Sequence, residues 1–173
     1  MTIERKWAMP NAWTFTIPPI KELLKQEVED GWWIDPFAGK NSPAKTKNDL
    51  NPAIKAEYHL DALSFLKMYN PNSVDGILFD PPYSITQAAQ MYKSFGKEKL
   101  KTSVANMGYW KQVKDEMANI IKPGGKAICF GWNSMGLGKN RGFEMQRILL
   151  VPHGGNRNDT ICTVEVKKPL PPQ

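Results

Sequence analysis

The sequence predicts an α/β domain built on a mostly parallel seven-stranded sheet, with helices on both faces and an antiparallel hairpin at its C-terminal end. Three observations point there. Short apolar runs alternate with amphipathic stretches along the chain, which is the pattern of strands wound between helices. The helical spacing of Trp110–Ile121 gives way, through Pro123-Gly124-Gly125, to the apolar run Lys126–Gly131. Asp35, Asp49, Asp61 and Asp80 each fall at or just beyond the end of a predicted strand, and open parallel sheets bind ligands outside those ends.

Element by element, Lys6 to Pro19 is irregular and aromatic, and Ile20–Val28 reads as an amphipathic helix with proline near its start. Trp32-Trp33-Ile34 is a short buried strand ended by Asp35-Pro36-Phe37-Ala38-Gly39, and Lys40–Lys47 is polar and breaker-rich, hence a loop. A second strand ends around Asp49-Leu50-Asn51, Pro52 opens a helical turn, and Tyr58-His59-Leu60 reads as a third strand. Asp61 suits the N-cap of a helix that begins at Ala62. Asn70–Ser73 forms a turn, Asp75–Phe79 the fourth strand, and Ser84–Gly108 a long polar excursion. The next helix buries Trp110, Val113, Met117, Ile120 and Ile121 and is stopped by Pro-Gly-Gly before the strand Lys126–Gly131. Asn133–Arg141 is a glycine-rich loop, Phe143–Val151 and Thr160–Val166 form the hairpin, and the proline-rich tail Lys167–Gln173 is loose.

A chain of 173 residues without internal repeat or linker reads as one domain. No apolar run approaches the roughly 18 residues of a membrane span, and Met1–Lys6 is not followed by a signal-peptide core, so a cytosolic protein is expected. Cys129 and Cys162 lie in apolar runs without metal-ligand spacing and read as buried free thiols. Twenty-three Lys and Arg against seventeen Asp and Glu give a formal charge of +6, which suits a polyanionic partner. Lys93, Lys97, Lys99, Lys101 and Lys111 are interleaved with Tyr92, Phe95, Tyr109 and Trp110, a mixture of cations and rings that a nucleic-acid path uses.

Asp80-Pro81-Pro82-Tyr83 follows the apolar run Gly76–Phe79. An amino group on a flat ring has its lone pair delocalised, and a catalyst must accept its N–H bonds to localise that pair toward an electrophile. An Asp carboxylate and a proline carbonyl both accept, the prolines fix φ and donate no N–H, and the tyrosine offers a face for a base. The same tetrapeptide also serves as a turn closing a strand.

With Asp35–Gly39, Asp49-Leu50-Asn51-Pro52, Asp61-Ala62 and Asp80–Tyr83 in that order, the chain from about Trp13 to Val166 resembles the Rossmann-like S-adenosylmethionine-dependent methyltransferases, in particular the DNA adenine-N6 branch with its small phage-type members. The resemblance implies that Asp35, Pro36, Phe37, Ala38 and Gly39 approach the methionine part of S-adenosylmethionine, that Asp49 accepts from the ribose, with Leu50 and Phe37 walling the adenine, and that Asp61 and Ala62 hold the adenine amino end. Phe15 and Thr16 match the segment that closes over the cofactor. Asp80, Pro81, Pro82 and Tyr83 become the catalytic loop, and no metal is needed because the methyl donor is already activated by its charge. The family often carries a second glycine in the cofactor loop where this chain has Asn41, a residue type tolerant of positive φ.

The expected activity is N6-methylation of adenine, with DNA preferred over RNA and with the base flipped or single-stranded. RNA methylation and cofactor binding without catalysis are the alternatives. Gly39–Asp80 holds only the second and third strands, so no separate target-recognition domain is expected. Residues 84–108 then become the substrate-binding insertion, with Lys93, Lys97, Lys99, Lys101, Tyr109 and Trp110 as contacts. His153 either touches substrate or is a solvated turn residue. Relaxed sequence specificity, or a partner that supplies it such as a second copy of the chain, follows from the missing domain, and the cytosol of a bacterium or phage-infected host is the expected location.

Overall fold

A computed structural model describes residues 1–82 and 107–169. Its strands are β1 (Thr2–Arg5), β2 (Trp33–Asp35), β3 (Thr46–Lys47), β4 (Val74–Phe79), β5 (Ile121–Gly131), β6 (Phe143–Val151) and β7 (Thr160–Lys167). They form one sheet in the order β1-β6-β7-β5-β4-β2-β3. Among the described residues, only the pairings of β7 with β5 and β6 are antiparallel. The mostly parallel sheet and the terminal hairpin are as the sequence predicts.

Helix α1 (Pro18–Glu27) covers one face and helices α2 (Ala62–Leu66) and α3 (Met107–Ile120) the other. Pro18 and Pro19 occupy the first turn of α1, where a missing N–H costs nothing. Ile20, Leu23 and Leu24 then recur at helical spacing and are buried with Leu78, Ile128, Leu149 and Val164. On the opposite face Phe65 of α2 and Val113, Met117 and Ile120 of α3 pack with Ile34, Ile77, Phe79 and Ala127. The alternation along β4, with Ile77 and Phe79 on one side and Leu78 on the other, follows from the two-residue period of a strand. Cys129 and Cys162 are buried free thiols, and burial pushes Cys129 up to about 12.

Four elements differ from the sequence-based expectation. The second strand is β3, only Thr46–Lys47, which lies inside the stretch read as a loop and ends before Asp49. Tyr58-His59-Leu60 is not a strand: Tyr58 makes one parallel bridge to Asn48, and Leu60 is held by the Asn48 side chain, whose Nδ2 donates to the Leu60 carbonyl at 2.9 Å and whose Oδ1 accepts from its N–H at 2.9 Å. The seventh strand is β1, an edge strand paired in parallel with β6. Arg147 of β6 binds Glu4 of β1 at 2.7 Å and Glu27 of α1 at 3.1 Å, fastening the new edge to the helix above it. Finally, Pro-Gly-Gly does not stop α3, which ends at Ile120 with β5 starting at Ile121. The β4–β5 register jumps from Val74↔Ile121 to Gly76↔Lys126, so Pro123-Gly124-Gly125 is a bulge inside the strand. Gly124 takes φ +80 there.

Candidate active site

Asp35 ends β2 with no exposed surface, and both its carboxylate oxygens are engaged. Oδ1 accepts from the Phe37 N–H at 2.9 Å and Oδ2 from the Ser42 hydroxyl at 2.6 Å, so this side chain shapes the loop from 35 to 42. Burial raises its pKa to about 7 against the lowering effect of those bonds, and the charges of Asp80 and Asp49 push the same way as burial. Three of the four predicted carboxylates therefore share one electrostatic neighbourhood.

The loop turns back through positive φ at Gly39 (+50) and at Asn41 (+68), which takes the conformation expected of the missing second glycine. The Gly39 N–H donates to Asp49 Oδ2 at 2.8 Å, and Asp49 Oδ1 accepts from the Asn51 N–H at 2.8 Å. Each carboxylate oxygen retains a lone pair for a further donor. Trp13 lies against Gly39, with Lys40 Nζ 4.8 Å from its ring centre.

Asn48, one residue past β3, is almost wholly buried and joins three strand-end segments. Besides its two bonds to Leu60, its Nδ2 donates to the Pro36 carbonyl at 3.0 Å, and its backbone bonds Asp35 and Ala38. It thereby sets the spacing between the loop after β2 and the approach to Asp61. Sequence reasoning missed Asn48, Ser42 and Trp13. Asn48 had a weak signal, a polar residue directly before Asp49 at a strand end.

Asp61 caps α2 as predicted, its Oδ1 accepting from the Ser64 N–H at 3.2 Å. The Tyr109 hydroxyl approaches the same oxygen at 3.5 Å, and Oδ2 has no donor among the described residues. Ala62 is buried beneath this corner. Phe37, Phe79 and Trp110 form a triangle of rings with centroids 5.7, 6.0 and 6.4 Å apart, roofing the ends of β2 and β4. Leu50 packs against the same cluster. Tyr109 and Trp110, expected to meet substrate, lie beside Asp61 and against Phe37 and Phe79, and so link the corner at Asp61 to the end of β4.

Asp80 is the first residue beyond β4, and Asp80, Pro81 and Pro82 are all half-buried. Tyr83, Lys93, Lys97, Lys99 and Lys101 lie outside the described residues, as does the 84–108 insertion except for Met107 and Gly108, which open α3. Phe15 stacks on Phe130 at 5.1 Å, and Thr16 bonds Asn11 and the Trp13 carbonyl. Phe15 and Thr16 border a cavity of about 500 Å³ together with Asn41 and Pro43, so they flank the loop while Trp13 covers its glycine.

His153 is not a solvated turn residue. It is buried, with Nδ1 2.8 Å from the Ala8 carbonyl and Nε2 2.8 Å from the Thr160 hydroxyl. A carbonyl only accepts, so Nδ1 carries the proton and donates. Both nitrogens are used in tying the chain after β1 to the hairpin.

No protein-family model and no curated protein sequence matches the chain. Solved structures share its architecture. The 1,6-didemethyltoxoflavin-N1-methyltransferase of Burkholderia thailandensis, determined with bound 1,6-didemethyltoxoflavin and S-adenosylhomocysteine, has a TM-score of 0.58 at 10% identity, over 88% of this chain and 77% of that one. TrmN from Thermus thermophilus has a TM-score of 0.53 at 16% identity over 88% of this chain, which spans only 49% of that protein. The chain has the Rossmann-like methyltransferase fold, with its strand-end carboxylates on the side where open parallel sheets take their ligands.

Proposed function

We propose that the protein transfers a methyl group from S-adenosylmethionine to the N6 amino group of adenine in DNA, with little sequence specificity. The observation that carries this reading is the gathering of Asp35, Asp49, Asp61 and Asp80-Pro81-Pro82 at one end of a methyltransferase-fold sheet. The donor set fits the cofactor. Asp49 keeps acceptor capacity for paired ribose hydroxyls, Asp61 Oδ2 suits an exocyclic amine, and Phe37 and Leu50 offer apolar walls. The loop from 35 to 42 is fixed by Asp35, Ser42 and Asn48, so its backbone is preorganised to receive the ligand.

When bound, S-adenosylmethionine supplies a sulfonium-activated methyl group. Asp80 and the Pro81 carbonyl accept the two N6 hydrogens, which turns the nitrogen lone pair out of conjugation and toward that methyl. Pro81 and Pro82 contribute no competing N–H. The bound cofactor would supply the methyl and keep the electron pair of the bond it gives up, and Asp80 would accept the proton that the amine sheds. Orientation of the amine supplies most of the rate.

The test incubates the protein with labelled cofactor and a panel of single- and double-stranded DNA and RNA, followed by mapping of N6-methyladenine. Methylated DNA in preference to RNA is expected. Asp80→Ala should lower methyl transfer by at least about a hundredfold while cofactor affinity changes little. Full activity of that variant refutes the assignment.

A further inference from the structure

Resting on that reading, we propose that the groove between α3 and the crossover from β5 to β6 is a track for the phosphate backbone of one nucleic-acid strand. Residues 132–142 connect the C-terminal end of β5 to the start of β6, with a single 3₁₀ turn at Lys139–Arg141. The crossover is pinned to the sheet by Glu165 of β7, whose carboxylate accepts from the Leu137 N–H at 2.5 Å and the Gly138 N–H at 3.0 Å. From α3, Lys114 donates to the Gly136 carbonyl at 2.8 Å, and Asp115 takes Arg141 Nε at 2.8 Å. These bonds hold the loop beside the helix and leave a groove of about 480 Å³ lined by Trp110, Lys111, Lys114, Met135, Lys139 and Arg141.

Charge selects the occupant. The lining carries Lys111, Lys114, Lys139 and Arg141. Asp115 bridges Lys111 at 2.8 Å and Arg141, whereas Lys114 and Lys139 have no acidic partner among the described residues. Glu116 faces Asn119, and Glu165 lies buried under the loop, so neither neutralises the opening. Met135, 70% exposed, and Trp110 add the apolar surface that sugars and bases use. Such a volume admits a short stretch of one strand's backbone. Trp110 belongs both to this groove and to the ring triangle above β2 and β4. A strand whose target base enters at Asp80 thus has its flanking phosphates alongside α3.

The experiment measures binding of a fluorescent, adenine-containing single-stranded oligodeoxynucleotide across a salt series. It compares the wild type, the double variant Lys111→Gln/Lys139→Gln, and Arg5→Gln/Lys67→Gln, which removes equal charge from exposed positions on β1 and at the end of α2, outside the groove. The groove variant should lose about tenfold in affinity, and its slope of log K against log salt should fall by about 1.4, the share of two contacts to a single strand. The Arg5→Gln/Lys67→Gln variant should bind as the wild type does, and all three proteins should bind S-adenosylmethionine equally. An unchanged slope in the groove variant, equal weakening by both double variants, or tighter binding of poly-glutamate than of the oligonucleotide each overturns the track. Any of these leaves the methylation reading standing if the wild type still methylates DNA. A wild type that neither binds nor methylates any polynucleotide overturns both.

Discussion

At the scale of residues, Asp35 and Asn48 show two ways of building one loop. Asp35 is a carboxylate held where water does not reach, and its proton is retained to about pH 7 against an ordinary value of 3.8. Because the folded chain binds that proton more tightly than the unfolded chain, stability from this group is fullest at low pH and falls as pH rises from about 4 through about 7. The shift corresponds to a loss on the order of 4 kcal/mol. Asp35→Asn keeps an acceptor for the Phe37 N–H, and the Ser42 hydroxyl can rotate to accept from the new amide. Thermal unfolding at pH 5 and pH 8 should therefore show a smaller decline for Asp35→Asn than for the wild type, and parallel declines would contradict the buried-proton account. Asn48→Ala leaves the Leu60 N–H and carbonyl and the Pro36 carbonyl without their partner. A cost of about 3 kcal/mol in urea unfolding is expected, with weakened cofactor binding because the two loops lose their common brace. Asp61 was legible as a cap because capping follows a local sequence rule. Asn48 was not, because its partners lie twelve residues away on each side.

Among the elements, those whose apolar residues face a core were read correctly. α1 and α3 show their buried stripes in the sequence, and β4 through β7 show runs of β-branched and aliphatic residues. Tyr58-His59-Leu60 has the composition of a strand but makes one bridge, because a side-chain amide takes its hydrogen bonds. β1 escaped reading because Thr2-Ile3-Glu4-Arg5, three of them exposed and only Glu4 half-buried, carry no periodic signal. Glycines separate by what surrounds them. Gly136 combines φ +52 with a Cβ position that overlaps the Glu165 carboxylate, whereas Gly124 at φ +80 opens on empty space. Gly136→Ala should cost about 3 kcal/mol, from crowding plus the left-handed backbone, and Gly124→Ala only about 1 kcal/mol. Equal losses in denaturant titrations would remove the crowding argument.

For the whole molecule, the order of carboxylates along the chain was enough to place Asp35, Asp49 and Asp80 at one end of the sheet, because a parallel α/β topology returns each strand end to the same side, whereas Asp61 is brought there by the Asn48 side chain holding Leu60 and not by a strand. Which further side chains fill the space between them was not legible, since Trp13 and Asn48 reach the site from different elements. The clamp of Glu165 on the crossover has a kinetic side. Glu165 belongs to the last strand, twenty-eight residues after Leu137, so the crossover's tie to the sheet forms only once β7 has inserted between β5 and β6. Contacts of that separation form late. Native-state amide exchange should give Leu137 and Gly138 the opening free energy of β7, well above that of Asn133–Met135 next to them. Lower protection at Leu137 and Gly138 than in β7 would mean that the crossover opens without it. If the coupling holds, the flank of α3 acquires its final shape only when the C-terminal hairpin is in place, and a truncated chain would expose that flank to aggregation before it could bind anything.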